Sequence, residues 1–187
     1  MIEERQIIEK VQSGDYQAFG ELVNRHKNMV YSLVLRMVSS QEDAEEVAQD
    51  SFIKAFKAIK QYKSKSKFST WLYKIAYFTA INHLRKNKAL TSPIDFDRIE
   101  NTDDSALDLM NADDQKAYID KAMTYLKPIE RQLIALFYLE EFSNKEIGKI
   151  TGLSQSNIKV SLMRSRKKLA GILNALLNDE IELLIKK

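Results

Sequence analysis

The most informative polar residues in this sequence follow a short turn in the last third of the chain. Amide, hydroxyl and basic side chains succeed one another after Gly152 at the spacing of one exposed helix face. Such groups near a helix N-terminus are what hydrogen bonding to base edges in the DNA major groove and to phosphates requires. The residues that we expect to face DNA here are Ser154, Gln155, Ser156, Lys159, Val160, Met163, Arg164, Arg166 and Lys167.

The residues around this turn match a helix-turn-helix. Ser143 or Asn144 can cap the first helix, and Ile147 and Ile150 are spaced to face inward. Gly152 can adopt the positive φ that the turn requires. The alternative is a two-helix corner of an ordinary bundle. The coincidence of caps, glycine and a basic outer face favours the DNA-binding motif.

A second cationic segment lies in the first half of the chain and contains aromatic residues. Residues 57–94 include basic but no acidic side chains, and the lysine-serine run 63–67 is followed by Phe68 and Trp71. Single-stranded nucleic acid binds to cationic grooves that offer aromatic surfaces to unstacked bases. The alternative for both aromatic residues is core packing. For Trp71 we expect partial burial, with one edge of the indole exposed.

A third feature is an apolar residue within a polar helix face. On a helical wheel Glu46, Gln49, Asp50 and Ile53 fall opposite the apolar stripe of residues 44–59. An apolar centre surrounded by carboxylates and an amide is typical of a protein-docking patch. The alternative is an ordinary solvated face with one isolated isoleucine.

The sequence offers no set of residues for catalysis. It has no cysteine, and its two histidines, His26 and His83, lack metal-ligand spacing and a neighbouring nucleophile. The clustered carboxylates of residues 42–46 are expected to be solvated and ionised, and no glycine-rich phosphate loop is present. We therefore predict a protein that is not an enzyme, with neither a metal site nor a cofactor.

The elements that must position these residues are helices. The chain of 187 residues contains only 5 glycines and 2 prolines, and its apolar residues recur at helical spacing. We predict an all-α fold of two small helical domains, 1–88 and 113–175, joined by a flexible acidic linker, 89–112, and followed by an amphipathic tail, 176–187. The candidate N-caps in the first domain are Ser39 or Ser40 for the third helix and Ser69 for the fourth. With no signal peptide and no membrane span in the sequence, we expect a cytoplasmic protein.

Several of these segments, in this order, resemble the sigma factors of bacterial RNA polymerase. Residues 45–56 are similar to sigma region 2.2, residues 67–72 and 82–86 to regions 2.3 and 2.4, and residues 126–169 to region 4. Because the chain has neither a large N-terminal extension nor a region 3 domain, it resembles the extracytoplasmic-function group in particular. The resemblance implies a sigma region 2 helical bundle and a sigma region 4 helix-turn-helix domain.

The resemblance also implies partners and a role for each surface. It implies that the chain binds core RNA polymerase, through the β′ clamp coiled coil and the β flap, directs it to promoter DNA and is inhibited by an anti-sigma factor. The implied core-docking residues are Asp43, Glu46, Gln49, Asp50 and Ile53. The residues implied to bind and melt the −10 element are Lys63, Lys65, Lys67, Phe68, Ser69, Thr70, Trp71, Lys74, Phe78, Asn82, Arg85 and Lys86. The helix after Gly152 would then read the −35 element.

Two residues depart from the family pattern, and two other functions stay open. The family often has asparagine where Phe78 stands and arginine where Ser161 stands, which affects the −10 base preference and one phosphate contact. A conventional helix-turn-helix regulator that acts without polymerase would explain the C-terminal motif but not the face around Asp50. A non-DNA adaptor built from helical hairpins predicts that the protein shows no salt-dependent DNA binding.

Overall fold

The computed structural model describes residues 3–38, 40–87 and 112–185, with side chains described up to residue 177. Over these residues the regular structure is helical, without strands. The predicted linker therefore lies outside the described residues except for Ala112, as do nearly all side chains of the predicted tail. None of the helices in the described ranges is long and apolar enough to cross a membrane. The helices are α1 (Glu4–Ser13), α2 (Phe19–Val38), α3 (Gln41–Ala58), α4 (Phe68–Lys86), α5 (Ala112–Thr124), α6 (Pro128–Ile134), α7 (Asn144–Thr151) and α8 (Gln155–Ile185).

The first compact unit comprises Met1–Leu90 and Ser143–Ser154. Its centre is formed by α2, α3 and α4, which pack against one another, while α1 packs on α2. The buried residues of α2 include Leu22, Val30, Leu33 and Met37, whose spacing of three, four and eight positions places them on one side of a helix. A 3-10 turn, Ile59–Gln61, ends α3 and leads into the lysine-serine loop.

Local residues explain where the helices of this unit begin and end. Gly14 terminates α1 in the left-handed region, with φ 110°, which glycine adopts without a steric penalty. The Asp15 carboxylate accepts from the backbone N–H of Ala18 at 3.2 Å, just before α2. Ser40 caps α3, and its hydroxyl accepts from the backbone N–H of Asp43. The cap predicted at Ser39 or Ser40 is thus formed by Ser40.

The second compact unit comprises Thr91–Phe142 and Gln155–Lys187, and in it α5 and α6 pack against α8. Pro128 occupies the first turn of α6, where its missing N–H costs no hydrogen bond, and a π-helical turn, Ala135–Leu139, follows the helix. Arg131 is buried, and its Nη2 donates to the carbonyls of Thr124 at 2.9 Å and Leu126 at 3.2 Å. This arginine therefore holds the end of α5 against α6.

Two features of the fold differ from the sequence-based expectations. The prediction that Ser69 caps the fourth helix is wrong, because α4 begins at Phe68, two residues earlier than a Ser69 cap requires, with Lys67 at the cap position and no side-chain cap. Helix α7, assigned from sequence to the domain 113–175, clusters with the first unit and packs along α4. Ile147 and Ile150 of α7 are fully buried. This packing brings two segments together that are far apart in the chain.

Candidate nucleic-acid interface

The outer face of α3 is exposed as the helical wheel predicts. Glu46, Gln49, Asp50 and Ile53 are all exposed, and 44% of the Ile53 surface is accessible. On the opposite side Ser51 is buried, and its hydroxyl donates to the Val47 carbonyl at 2.6 Å. The face is therefore a continuous polar surface with an apolar residue in it, which is suited to docking another protein.

A shallow groove borders this face. It measures about 420 Å³ and lies between α2 and α3, and Gln49 belongs to both the groove and the exposed face. Its apolar lining includes Val23, Tyr31 and Phe52. The accessible surface next to Gln49 is therefore concave and partly apolar, which the helical wheel does not reveal.

The fifth predicted docking residue, Asp43, is engaged within the unit. Its Oδ1 lies 3.3 Å from Nε2 of His83 on α4, and the Asp43 side chain is half-buried. A second link joins the same helices, since Nζ of Lys54 donates to the Thr79 hydroxyl at 3.3 Å. These contacts tie the exposed face of α3 to the helix that follows the cationic loop. Sequence reasoning assigned Asp43 to docking and missed its contact with His83.

The cationic loop before α4 is held by defined hydrogen bonds. Nε2 of Gln12 donates to the carbonyls of Ile59 at 2.8 Å and Tyr62 at 2.9 Å, and the Tyr62 hydroxyl donates to the Ser66 carbonyl at 2.7 Å. Ser64 adopts a positive φ of 53° at the tip of the loop. The loop thereby presents its three lysines in the exposed positions Lys63, Lys65 and Lys67.

An aromatic cluster anchors the start of α4. The ring of Phe68 lies 5.5 Å from Tyr62, 5.4 Å from Trp71 and 5.3 Å from His26, measured between ring centroids. Only 2% of the Phe68 surface is accessible, so its predicted place in a DNA-binding surface does not fit this conformation, and core packing explains it instead. Trp71 is half-buried, as expected. Tyr62 was not singled out from the sequence, although the loop and the cluster both depend on it.

The predicted −10 residues on α4 divide into exposed and covered groups. Lys74, Phe78, Asn82 and Arg85 are exposed and recur every three or four positions, so they share one helix face, and Lys86 is exposed at the helix end. Ser69 is half-buried. Thr70 is 2% accessible, and its hydroxyl oxygen has no hydrogen-bond partner. In this conformation Thr70 therefore offers no surface to a nucleic acid.

The N-terminus of α7 carries a reciprocal cap. The Ser143 hydroxyl accepts from the Glu146 backbone N–H at 3.3 Å, and Oε2 of Glu146 accepts from the Ser143 hydroxyl at 2.7 Å and the Ser143 backbone N–H at 3.0 Å. The Ser143 hydroxyl is the main reason that the pKa of Glu146 lies below its ordinary value, with smaller contributions from Lys67 and Lys149. Of the two predicted caps, Ser143 is the one used.

The turn after α7 has the predicted geometry. Gly152 has φ 77°, and its N–H donates to the Gly148 carbonyl at 2.9 Å. Helix α8 begins at Gln155, directly after Ser154. The two halves of the predicted motif thus have the expected boundaries, with the left-handed residue at the expected glycine.

The first turns of α8 present a basic and polar surface. Ile158 and Leu162 are buried, whereas all nine predicted −35 residues are exposed. One of them also has an internal contact, since Nη1 of Arg166 donates to the Tyr138 hydroxyl at 3.1 Å. The exposed side chains are Ser154, Gln155, Ser156, Lys159, Val160, Met163, Arg164, Arg166 and Lys167. Residues 147–178 contain no acidic side chain that would repel phosphate.

The described residues place no cluster of three or more histidine, aspartate or glutamate side chains where they could hold a metal ion. His26 instead lies 2.7 Å from Glu4, and His83 contacts Asp43. Both histidines therefore have structural partners within the first unit.

Comparison with known proteins identifies the two matched regions. The Sigma-70 region 2 family matches residues 22–90, and the Sigma-70, region 4 family matches residues 116–169. The ECF RNA polymerase sigma factor SigW of Bacillus subtilis (strain 168) is 32% identical over 185 residues, which cover 90% of this chain and 95% of that protein. The ECF RNA polymerase sigma-E factor of Escherichia coli (strain K12) is 32% identical over 171 residues, covering 86% and 89%.

Solved structures show the same fold at lower sequence identity. CnrH, solved in complex with the cytosolic domain of CnrY, has a TM-score of 0.66 at 22% identity, covering 92% of this chain and 97% of that one. The sigma factor RpoE of Bartonella quintana, solved with the anti-sigma factor NepR, has a TM-score of 0.63 at 22% identity, covering 83% and 96%. These similarities support the all-helical architecture.

Proposed function

The chain belongs to the sigma-70 family, in its extracytoplasmic-function group. From this premise we propose which of its surfaces binds each partner of a sigma factor. The protein binds core RNA polymerase, directs it to specific promoters and helps to melt the −10 region. Three surfaces share these tasks: the outer face of α3, the cationic loop with the exposed stripe of α4, and the first turns of α8. The protein acts as a regulatory DNA-binding subunit, without catalysis of its own, in the cytoplasm.

The observation that carries this proposal is the outer face of α3, because DNA binding alone does not require it. Glu46 and Asp50 give the face negative charge, and Ile53 adds an exposed apolar residue. Such a surface would be repelled by phosphate and fits a basic protein partner with an apolar contact. We assign it to the β′ clamp coiled coil. The contact of Asp43 with His83 gives that residue a second role, in holding α3 to α4.

The surface for the −10 strand combines cations with an aromatic residue. Lys63, Lys65 and Lys67 are exposed on a loop that hydrogen bonds hold in place, so the loop can follow a phosphate backbone at low entropic cost. Phe78 is 40% accessible in the middle of the α4 stripe and offers a stacking surface to an unpaired base. Phe68 supports this surface from within the core.

The surface for the −35 duplex is the start of α8. Gln155 and Arg164 carry the amide and guanidinium groups that form bidentate hydrogen bonds with adenine and guanine, respectively. Lys159 and Lys167 supply charge for phosphates. Ser161, which stands where the family often has arginine, is half-buried and supplies no such charge. We assign the β flap to another face of the same domain.

A conventional helix-turn-helix regulator is the alternative, and the family assignment does not favour it. Such a protein would bind duplex DNA tightly without polymerase and would have no use for the α3 face. An anti-sigma factor is a further proposed partner, since a protein that covers the α3 face would prevent docking on polymerase. Copurification of a coexpressed inhibitor that Asp50→Lys abolishes would support that partner.

Run-off transcription tests the proposed function. Purified bacterial core polymerase is combined with the full chain on promoter fragments from upstream of its own gene, and Asp50→Lys serves as the matched variant. Transcripts with defined starts that require the wild-type protein are expected. Absence of such transcripts, together with tight binding of free duplex DNA, would favour the conventional regulator and remove the docking role of the α3 face.

A further inference from the structure

The outward face of α8 contains two apolar residues among its cations. Val160 is 43% accessible and Met163 is 58% accessible, although both side chains are apolar. On a helical wheel, the residues opposite the buried Ile158 and Leu162 form one row, and the two apolar residues lie in its middle. The row, in which neighbours are separated by four, three and four positions, is Ser156, Val160, Met163 and Lys167.

Further cations lie beside this row. On the wheel Lys159 and Arg166 fall on one side of the row and Arg164 falls on the other. Nη1 of Arg166 donates to the Tyr138 hydroxyl at 3.1 Å, which holds the Arg166 guanidinium at the edge of the face. The sequence has no acidic residue from 155 to 178. The centre of the face is therefore apolar, and the charge around it is positive.

The arrangement of charge indicates which partner this face fits. Phosphate backbones run along both edges of the DNA major groove, so a helix in the groove has anions on each side and base edges in front of it. The face of α8 has the matching arrangement, with cations on each side and apolar side chains between them. The apolar group that base edges present in the major groove is the C5 methyl group of thymine.

We propose that Val160 and Met163 read thymine, by contacting the C5 methyl groups of two neighbouring base pairs in the −35 element. The proposal rests on the function proposed above, which assigns α8 to that element. Three residues of an α-helix rise about 4.5 Å and successive base pairs lie about 3.4 Å apart, so the two side chains can reach adjacent pairs. Val160 is branched at Cβ and keeps one preferred rotamer in a helix, whereas Met163 is flexible. Val160 should therefore discriminate more sharply.

Uracil substitution tests methyl reading, because uracil differs from thymine only in lacking the C5 methyl group. Holoenzyme, assembled from core polymerase and the full chain, is used to select its −35 site from random duplexes. Each thymine of the selected site, on either strand, is then replaced singly by uracil, and the Kd is measured by competition. Loss of one contacted methyl group should raise the Kd roughly fourfold, and loss of both should raise it roughly tenfold or more.

Variants identify which side chain contacts each methyl group. Val160→Ala should bind the thymine and uracil duplexes equally at one position, and Met163→Ala should do so at the neighbouring position. Lys167→Ala is the matched control, since it removes a cation from the same row. It should weaken binding to both duplexes equally and keep the preference for thymine. Because Val160 and Met163 are exposed, both alanine variants should keep the wild-type melting temperature.

The outcomes separate methyl reading from the sigma function. A selected site without thymine, or equal affinity for thymine and uracil at every position, would overturn methyl reading. A thymine preference that survives both Val160→Ala and Met163→Ala would overturn it as well. Loss of affinity in Val160→Ala without any thymine preference would assign the pair to a sugar or protein contact instead.

Run-off transcription by the unmodified chain reports independently on the sigma function. If no holoenzyme forms, the same selection and the same uracil series are carried out with the full chain alone at low salt. A thymine preference that depends on Val160 and Met163 then establishes methyl reading even though the sigma function has failed. Defined transcripts together with equal binding of thymine and uracil would retain the sigma function and overturn methyl reading.

Discussion

Truncation of Ile53 to alanine is the most direct test of the docking face, because it changes no charge. Ile53 exposes 44% of its surface on α3. Complete burial of an isoleucine side chain stabilises by roughly 1.5–3 kcal/mol, so burial of the exposed part against polymerase contributes about 1 kcal/mol. At about 1.4 kcal/mol for a tenfold change, Ile53→Ala should raise the Kd for core polymerase roughly fivefold.

The assay is a competition titration in which unlabelled variants displace the fluorescently labelled wild-type chain from core polymerase. Ile129→Ala is a matched control, since Ile129 is 45% exposed and belongs to α6 of the second unit. Neither substitution empties a core position, so both variants should keep the helical circular dichroism and melting temperature of the wild type. Equal affinity of Ile53→Ala and wild type for core polymerase would refute burial of Ile53 at the interface. An equal loss of affinity in Ile53→Ala and Ile129→Ala would show that the effect is not specific to the α3 face.

Further predictions concern charge, base reading and pH. Asp50→Lys should weaken core binding by roughly 100-fold or more, because a like charge placed against a basic partner costs several kcal/mol; unchanged affinity would show that the docking face is misassigned. Arg164→Ala should weaken promoter binding by about 1–3 kcal/mol if its guanidinium is bidentate to guanine, and an equal loss on a scrambled −35 sequence would reduce it to a phosphate contact. Because the folded-state pKa of Glu146 lies below its ordinary value, the ionised carboxylate adds stability that is complete above the ordinary pKa and is lost as pH falls through the lowered pKa. Glu146→Gln should therefore make the melting temperature fall less steeply with acidification below about pH 5, and an unchanged pH profile would show that the bonds of Glu146 to Ser143 do not stabilise the fold.

Helix boundaries and exposed faces were largely predictable because they depend on residues within a turn or two. Ser40 and Ser143 cap the helices that their position before a helical run indicates, and Gly152 takes the positive φ of the turn. Ile53 is exposed because the wheel places it opposite the apolar stripe. Ser69 is not a cap, since the apolar Phe68 before it already belongs to the helix and to the core.

Aromatic residues beside a cationic loop could not be assigned from sequence. Phe68 and Trp71 both suit base stacking and core packing, and their residue types do not distinguish between the two. The structure buries Phe68 among Tyr62, Trp71 and His26, and leaves Trp71 half-buried. That outcome depends on contacts with α2, which a local pattern does not encode.

The sequence by itself determined the helical class, the family and the chemical character of the three surfaces, because spacing, caps and residue types act locally. Only the tertiary structure decided which of those surfaces are free. The buried residues Ile147 and Ile150 show why the sequence could not decide this. An apolar helix face must pack against another segment, but its pattern does not specify which segment that is. The packing of α7 along α4 is a contact between segments distant in the chain, so no local pattern specifies it.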